Sequence, residues 1–144
     1  MASATKQDAG RPEASGRIVR VSFTLEFHDS EVRDVVADGG EMCVRFAAAS
    51  VRDSNGERGW LTSVTLALSD ATLAGDTVLA FGKLIEGRLR CDSCDIGRPA
   101  VPVTLAGRIE LALRFANGTQ LTAHGRSLAL SVADGARFAE DLSC

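Results

Sequence analysis

The feature of this sequence that most constrains its fold is a β-hairpin pattern near the C-terminus. Apolar and polar residues alternate from Arg108 to Ala116, an Asn117-Gly118 pair follows, and the alternation resumes from Thr119 to His124. Asn-Gly readily adopts the positive φ angles of a two-residue turn, so the pattern predicts two antiparallel strands. The predicted inward face comprises Ile109, Leu111, Leu113, Phe115 and Leu121.

The same two-residue alternation recurs through most of the chain. It is strongest from Val19 to Phe27, and after a predicted break at Asp29-Ser30 it continues in a weaker strand from Glu31 to Val36. Residues 91–102 are less regular and are predicted to be a long loop. Close strand spacing without a βαβ pattern predicts an all-β fold, an antiparallel β-sandwich or partly closed barrel of seven to nine short strands. Residues 134–142 form either an edge strand or one short helical turn.

The chain divides into a tail and one domain. Residues 1–16 contain no large apolar side chain after Met1, so we expect a disordered N-terminal tail. Residues 17–144 are predicted to form a single all-β domain. A chain of 144 residues is long enough to bury a sizeable core without a metal or disulfides.

Composition restricts the partners and the location of the protein. The net charge of −3 argues against nucleic-acid binding, and no apolar run approaches the roughly 20 residues of a membrane span. The N-terminus lacks the apolar segment of a secretory signal, which predicts a cytoplasmic protein. A bias towards Arg and Ala is typical of a GC-rich bacterial genome.

The sharpest cluster of chemically active side chains is His28, Asp29 and Glu31. An imidazole beside carboxylates can bind a metal ion or transfer protons. Neighbouring side chains diverge in an extended backbone, however, so we do not expect His28 and Asp29 to converge on one ion. The favoured interpretation is that Asp29 and Ser30 hydrogen-bond the turn while His28 lies on the solvent face.

Two outward residues of the C-terminal hairpin are further binding candidates. His124 lies on the outer or rim face of its strand, and a joint site with His28 would require their strands to be adjacent. Arg114 belongs to a surface of mixed charge, which is either a solvated sheet face or a polar protein-binding face. Trp60 follows a polar loop and is interpreted as a packing residue.

Cys91 and Cys94 have the spacing of half a structural zinc site. The other half is missing, because Cys43 and Cys144 are isolated in the sequence. A redox function receives weaker support, since reactive dithiols normally lie at a helix N-terminus and no helix is predicted after Cys94. No cofactor is therefore predicted, and zinc is retained as an alternative.

From Phe27 to Val35 the chain resembles small, uncharacterised bacterial all-β proteins that open with a strand, a Phe-His-Asp turn and a second strand. Some families with this pattern are immunity proteins, which neutralise a partner toxin by binding it. The resemblance therefore implies a binding protein. It covers residues 27–35 and assigns no role to any of them.

Three hypotheses about function follow. The first is a non-enzymatic domain that binds a protein partner or forms a homo-oligomer, because the motifs of hydrolases, nucleotide-binding loops and zinc peptidases are absent from the sequence. The second is a metal-dependent site at the histidine and carboxylate residues, or zinc at the cysteine pair. The third is a small-ligand pocket, which a concave apolar cavity would reveal.

Overall fold

The computed structural model describes residues 22–140, which form an antiparallel all-β structure. The eleven strands are β1 (Phe23–Asp38), β2 (Glu41–Arg52), β3 (Arg58–Leu61), β4 (Val64–Ser69), β5 (Thr72–Ala74), β6 (Gly82–Cys91), β7 (Cys94–Ile96), β8 (Ala100–Val101), β9 (Val103–Phe115), β10 (Gln120–Val132) and β11 (Phe138–Glu140). Within this range there is no helix long and apolar enough to cross a membrane. The predicted all-β class is confirmed, whereas the predicted tail, residues 1–16, lies outside the described residues.

Six of these strands close into a barrel. Their order is β1, β2, β4, β10, β9 and β6, and β6 pairs again with β1. The other five strands extend it, with β3 on β2, β11 on β3, β5 on β10, β7 on β6 and β8 on β1. Closure pairs backbone groups that an open sheet would expose at its edges. The structure therefore has more strands than the seven to nine predicted, and the barrel closes fully.

The barrel interior is built from alternate residues of the strands. In the predicted hairpin, β9 and β10 pair antiparallel and Gly118 has a φ of 94°. Each residue of its predicted inward face is at most 2% exposed; the five are Ile109, Leu111, Leu113, Phe115 and Leu121. The predicted strands and their buried face are confirmed, since period-two alternation buries one face wherever a strand borders a core. The turn comprises three residues, 116–118, rather than two, because Phe115 lies opposite Thr119, to which its N–H donates.

Two irregular regions differ from the sequence-based expectation. Residues 91–102 are not one long loop, because they contain β7 and β8, which pair with β6 and β1. Near the C-terminus, Phe138–Glu140 forms an edge strand beside β3, which decides between the two alternatives. Residues 141–144, including Cys144, lie outside the described residues.

Candidate functional site

β1 contains a bulge at the residues singled out by the sequence. Its register with β2 shifts from Glu26 opposite Ser50 to Glu31 opposite Ala48, so four residues of β1 occupy the space opposite one residue of β2. Asp29, within the bulge, has a φ of 75°, which is uncommon for a residue with a side chain. The predicted break between two strands is thus a bulge within one continuous strand.

The Ser30 side chain links β1 and β2 where the bulge interrupts their backbone hydrogen bonds. Its side chain is fully buried, and its hydroxyl donates a hydrogen bond to the Glu26 carbonyl oxygen at 2.7 Å. The Ser30 hydroxyl oxygen in turn accepts a hydrogen bond from the Ser50 backbone N–H at 2.8 Å. Ser30 therefore has the backbone-bonding role that the sequence suggested for it, and it holds the bulge that positions Asp29.

The bulge brings charged groups together on the outside of the barrel. His28 Nε2 lies 3.4 Å from Asp29 Oδ2, and Lys83 Nζ lies 3.1 Å from Asp29 Oδ1. His28 Nδ1 lies 2.9 Å from the carbonyl oxygen of Ile85 and donates to it, since a carbonyl oxygen only accepts. The expected divergence of His28 and Asp29 is not found, because the backbone of Asp29 is not extended.

These residues border a shallow depression of about 510 Å³, lined by Asp29, Glu31, Ala48, Trp60 and Lys83. Lys83 and Trp60 were not among the residues that the sequence marked for this site. Lys83 lies beside Asp29 because β6 pairs with β1, and Trp60 lines the depression because β3 pairs with β2. No local sequence signal encodes either pairing, so only the isolation of Trp60 as the one tryptophan could have drawn attention to it.

Arg114 and His124 lie elsewhere, on the outer face formed by β6, β9 and β10. Arg114 Nη2 donates to Glu86 Oε1 at 3.0 Å, and His124 lies opposite Glu110. In the closed barrel β10 lies between β4 and β9, while β1 lies between β2 and β6. The two strands are on opposite sides, so the structure does not bring His124 and His28 together.

Cys91 and Cys94 lie opposite each other across the β6–β7 hairpin. Cys91 is six residues beyond Ile85 along β6, which corresponds to about 20 Å in a strand. The cysteine pair is therefore separate from the cluster around Asp29. Within residues 22–140, no group of three or more His, Cys, Asp or Glu side chains is arranged to hold a metal ion.

One end of the barrel exposes apolar side chains. Among the described residues, the exposed large hydrophobic side chains are Val36, Val78, Leu79, Phe81 and Ile85, and Val78 is 80% exposed. We call Val78, Leu79 and Phe81, which directly precede β6, the apolar end. These three lie within four consecutive residues, whereas Ile85 lies within β6 and Val36 lies near the end of β1, beyond the residues of β1 that pair with β6. The β9–β10 turn lies at the same end, where Asn117 Nδ2 donates to the Leu79 carbonyl oxygen at 2.9 Å.

The apolar end and the cluster around Asp29 are continuous. Lys83, two residues after Phe81, forms an ion pair with Asp29, and the carbonyl oxygen of Ile85 accepts the hydrogen bond of His28. The surface therefore combines exposed apolar groups with a rim that carries both signs of charge.

Comparison with known proteins gives no relative from which a function could be transferred. No protein family, no curated protein and no solved structure matches this chain. The geometry of the described residues therefore carries the functional argument.

Proposed function

We propose that this protein is a non-enzymatic binding domain that associates with another protein chain through its apolar end. The observation that carries the proposal is the group of three exposed large hydrophobic side chains, Val78, Leu79 and Phe81, within four consecutive residues at that end of the described barrel. Contiguous exposed apolar surface, rimmed by polar residues, is typical of protein interaction sites. Single apolar residues scattered over a sheet, by contrast, are normal on protein surfaces and do not indicate an interaction site.

A second copy of this chain is the partner that the surface fits best. A two-fold interface brings the same patch of each protomer together, so its charged groups must complement themselves. The rim supplies both signs, with the Asp29 and Glu31 carboxylates beside the Lys83 ammonium group. A partner of strong single-sign charge would instead favour a rim of the opposite sign.

Sedimentation velocity over a range of protein concentrations tests this proposal. We expect the wild-type chain to form dimers and the Val78→Ser/Phe81→Ser variant to remain monomeric, because the substitutions remove apolar area that association would bury. The matched control is Ile96→Ser, which removes a partly buried aliphatic side chain from β7, away from the apolar end. The control is expected to dimerise like the wild type.

The association is also expected to persist at high salt, since burial of apolar surface is not screened by ions as exposed charge pairs are. A wild-type chain that stays monomeric at every concentration would contradict self-association. A double variant that dimerises as strongly as the wild type would show that the apolar end is not the interface.

A second candidate function is supported by a cavity at the other end of the barrel. It has a volume of about 420 Å³ and is lined largely by apolar side chains, including Phe23, Leu61, Val101 and Phe138. Barrel mouths with pockets of this size and lining commonly accept small ligands. The test is titration with the fluorescent probe 8-anilinonaphthalene-1-sulfonate. We expect saturable binding that Ala136→Phe, on the cavity wall, abolishes; equal binding by the variant would contradict a ligand site there.

A further inference from the structure

The β6–β7 hairpin places two thiols side by side. Asp92 and Ser93 form its two-residue turn, with φ angles of 51° and 69°. This turn leaves Cys91 and Cys94 as direct cross-strand partners. Directly opposed residues point to the same face of a sheet, with Cβ atoms about 4.5–5.5 Å apart. The Cβ atoms of a disulfide are about 3.5–4.5 Å apart, so closure draws the two residues together by about 1 Å. Their Cα separation in such a pair falls within the range that a disulfide spans.

The tip of this hairpin is held from both sides. The Asp92 carboxylate accepts a hydrogen bond from the Arg108 backbone N–H at 2.9 Å, and the Asp92 backbone N–H donates to the Arg108 carbonyl oxygen at 2.9 Å. Arg90 donates from Nη2 to the Ser93 carbonyl oxygen at 3.3 Å. These contacts fix the turn against β9, so little ordering is needed to bring the sulfur atoms together.

The two cysteines have different surroundings. Cys94 is exposed, whereas Cys91 is partly buried and its thiol lies 3.7 Å from the Ala106 carbonyl oxygen, to which it donates. An external reagent therefore reaches Cys94 first. The sheltered Cys91 thiol is the nearest group that can react with anything attached to Cys94.

We propose that Cys91 and Cys94 form a redox-active dithiol that reduces disulfides of small thiols. The Cys94 thiolate attacks one sulfur of the disulfide, which forms a mixed disulfide and releases the first thiol after protonation. The Cys91 thiolate then attacks Cys94 Sγ, which closes the intramolecular disulfide and releases the second thiol. The substrate gains two electrons and two protons, and the dithiol loses them.

This activity is independent of the proposed association through the apolar end, which lies towards the start of β6. The closed β6–β7 pair keeps the two thiols together, so the second step is intramolecular.

Mass spectrometry of a Cys43→Ser/Cys144→Ser protein treated with oxidised glutathione tests the proposal. We expect the 91–94 hairpin to lose two hydrogen atoms and to retain no glutathione. With Cys91→Ser added, a stable glutathione adduct on Cys94 is expected, because the second step is blocked. With Cys94→Ser added instead, we expect slower adduct formation at the sheltered Cys91.

The contribution of the clamp is measured with Asp92→Gly, which keeps the positive φ accessible and removes the carboxylate. The equilibrium constant for disulfide closure against glutathione is expected to fall about three- to tenfold, as for the loss of one hydrogen bond. A stable glutathione adduct in the parent protein, or thiols that do not react while zinc is retained, would overturn the proposal.

Discussion

Replacing Ser30 by alanine tests whether one buried hydroxyl holds the β1 bulge. The hydroxyl of Ser30 makes two hydrogen bonds, to the Glu26 carbonyl oxygen at 2.7 Å and from the Ser50 N–H at 2.8 Å. Both serines are buried, with exposures of 0% and 2%. Alanine fills nearly the same space, so the substitution removes these bonds with little change in packing.

The expected cost follows from the groups left without partners. A buried N–H without an acceptor costs about 1–3 kcal/mol, and the lost bond to the Glu26 carbonyl adds about 0.5–1.5 kcal/mol. We therefore expect the free energy of unfolding to fall by about 1.5–4.5 kcal/mol. This is a large part of the roughly 5–15 kcal/mol that stabilises an ordinary domain.

Urea denaturation followed by the fluorescence of Trp60 measures this change. The midpoint should fall while the dependence on urea stays the same, because the surface exposed on unfolding is unchanged. Ser131→Ala, at an exposed position of β10, is the matched control and should stay within about 0.5 kcal/mol of the wild type. A Ser30→Ala protein as stable as this control would refute the assigned role of the hydroxyl.

Two further substitutions test packing and charge elsewhere in the barrel. Gly87→Ala places a Cβ against the buried side chain of Phe27, so the free energy of unfolding, measured by urea denaturation, should fall by about 1–3 kcal/mol. The control is Gly97→Ala, whose Cβ meets open space. Equal effects of the two substitutions would contradict close packing at Gly87. The hydrogen bond from Arg45 lowers the pKa of Asp34, so the pair stabilises the fold above the pKa of an unfolded aspartate, and this contribution is lost as pH falls through the lower folded pKa. The stability difference between the wild type and Arg45→Met should therefore stay constant from pH 7 to about pH 5 and shrink as pH falls below about 4; a difference that does not shrink there would contradict this linkage.

The candidate site shows which features local sequence can predict. His28, Asp29 and Glu31 were identified from their chemistry, and the backbone-bonding role of Ser30 follows from its preference for turns. The positive φ of Asp29 could not be predicted, because the bulge depends on how β1 meets β2. The contact of His28 with Ile85 joins residues 57 positions apart, and no local pattern specifies it.

The cysteine pair illustrates the same division. Its spacing is visible in the sequence and suggested half a zinc site, but residues 91–102 were expected to be a loop. The direct opposition of the two cysteines depends on the hairpin with β7, and the hold on its tip depends on Arg108 in β9. The sequence shows that the two cysteines are close along the chain, and the pairing of β6 with β7 places them directly opposite each other.

The sequence by itself determined the all-β class, the C-terminal hairpin and its buried face. These features depend on local physics, because alternate side chains of a strand point to opposite faces and Asn-Gly favours a tight turn. The tertiary structure alone decided that the barrel closes, that Lys83 contacts Asp29 and that the exposed apolar segment before β6 lies beside the β9–β10 turn. The physical reason is that strand partners are selected by the packing of the whole core, over separations that a local pattern does not encode.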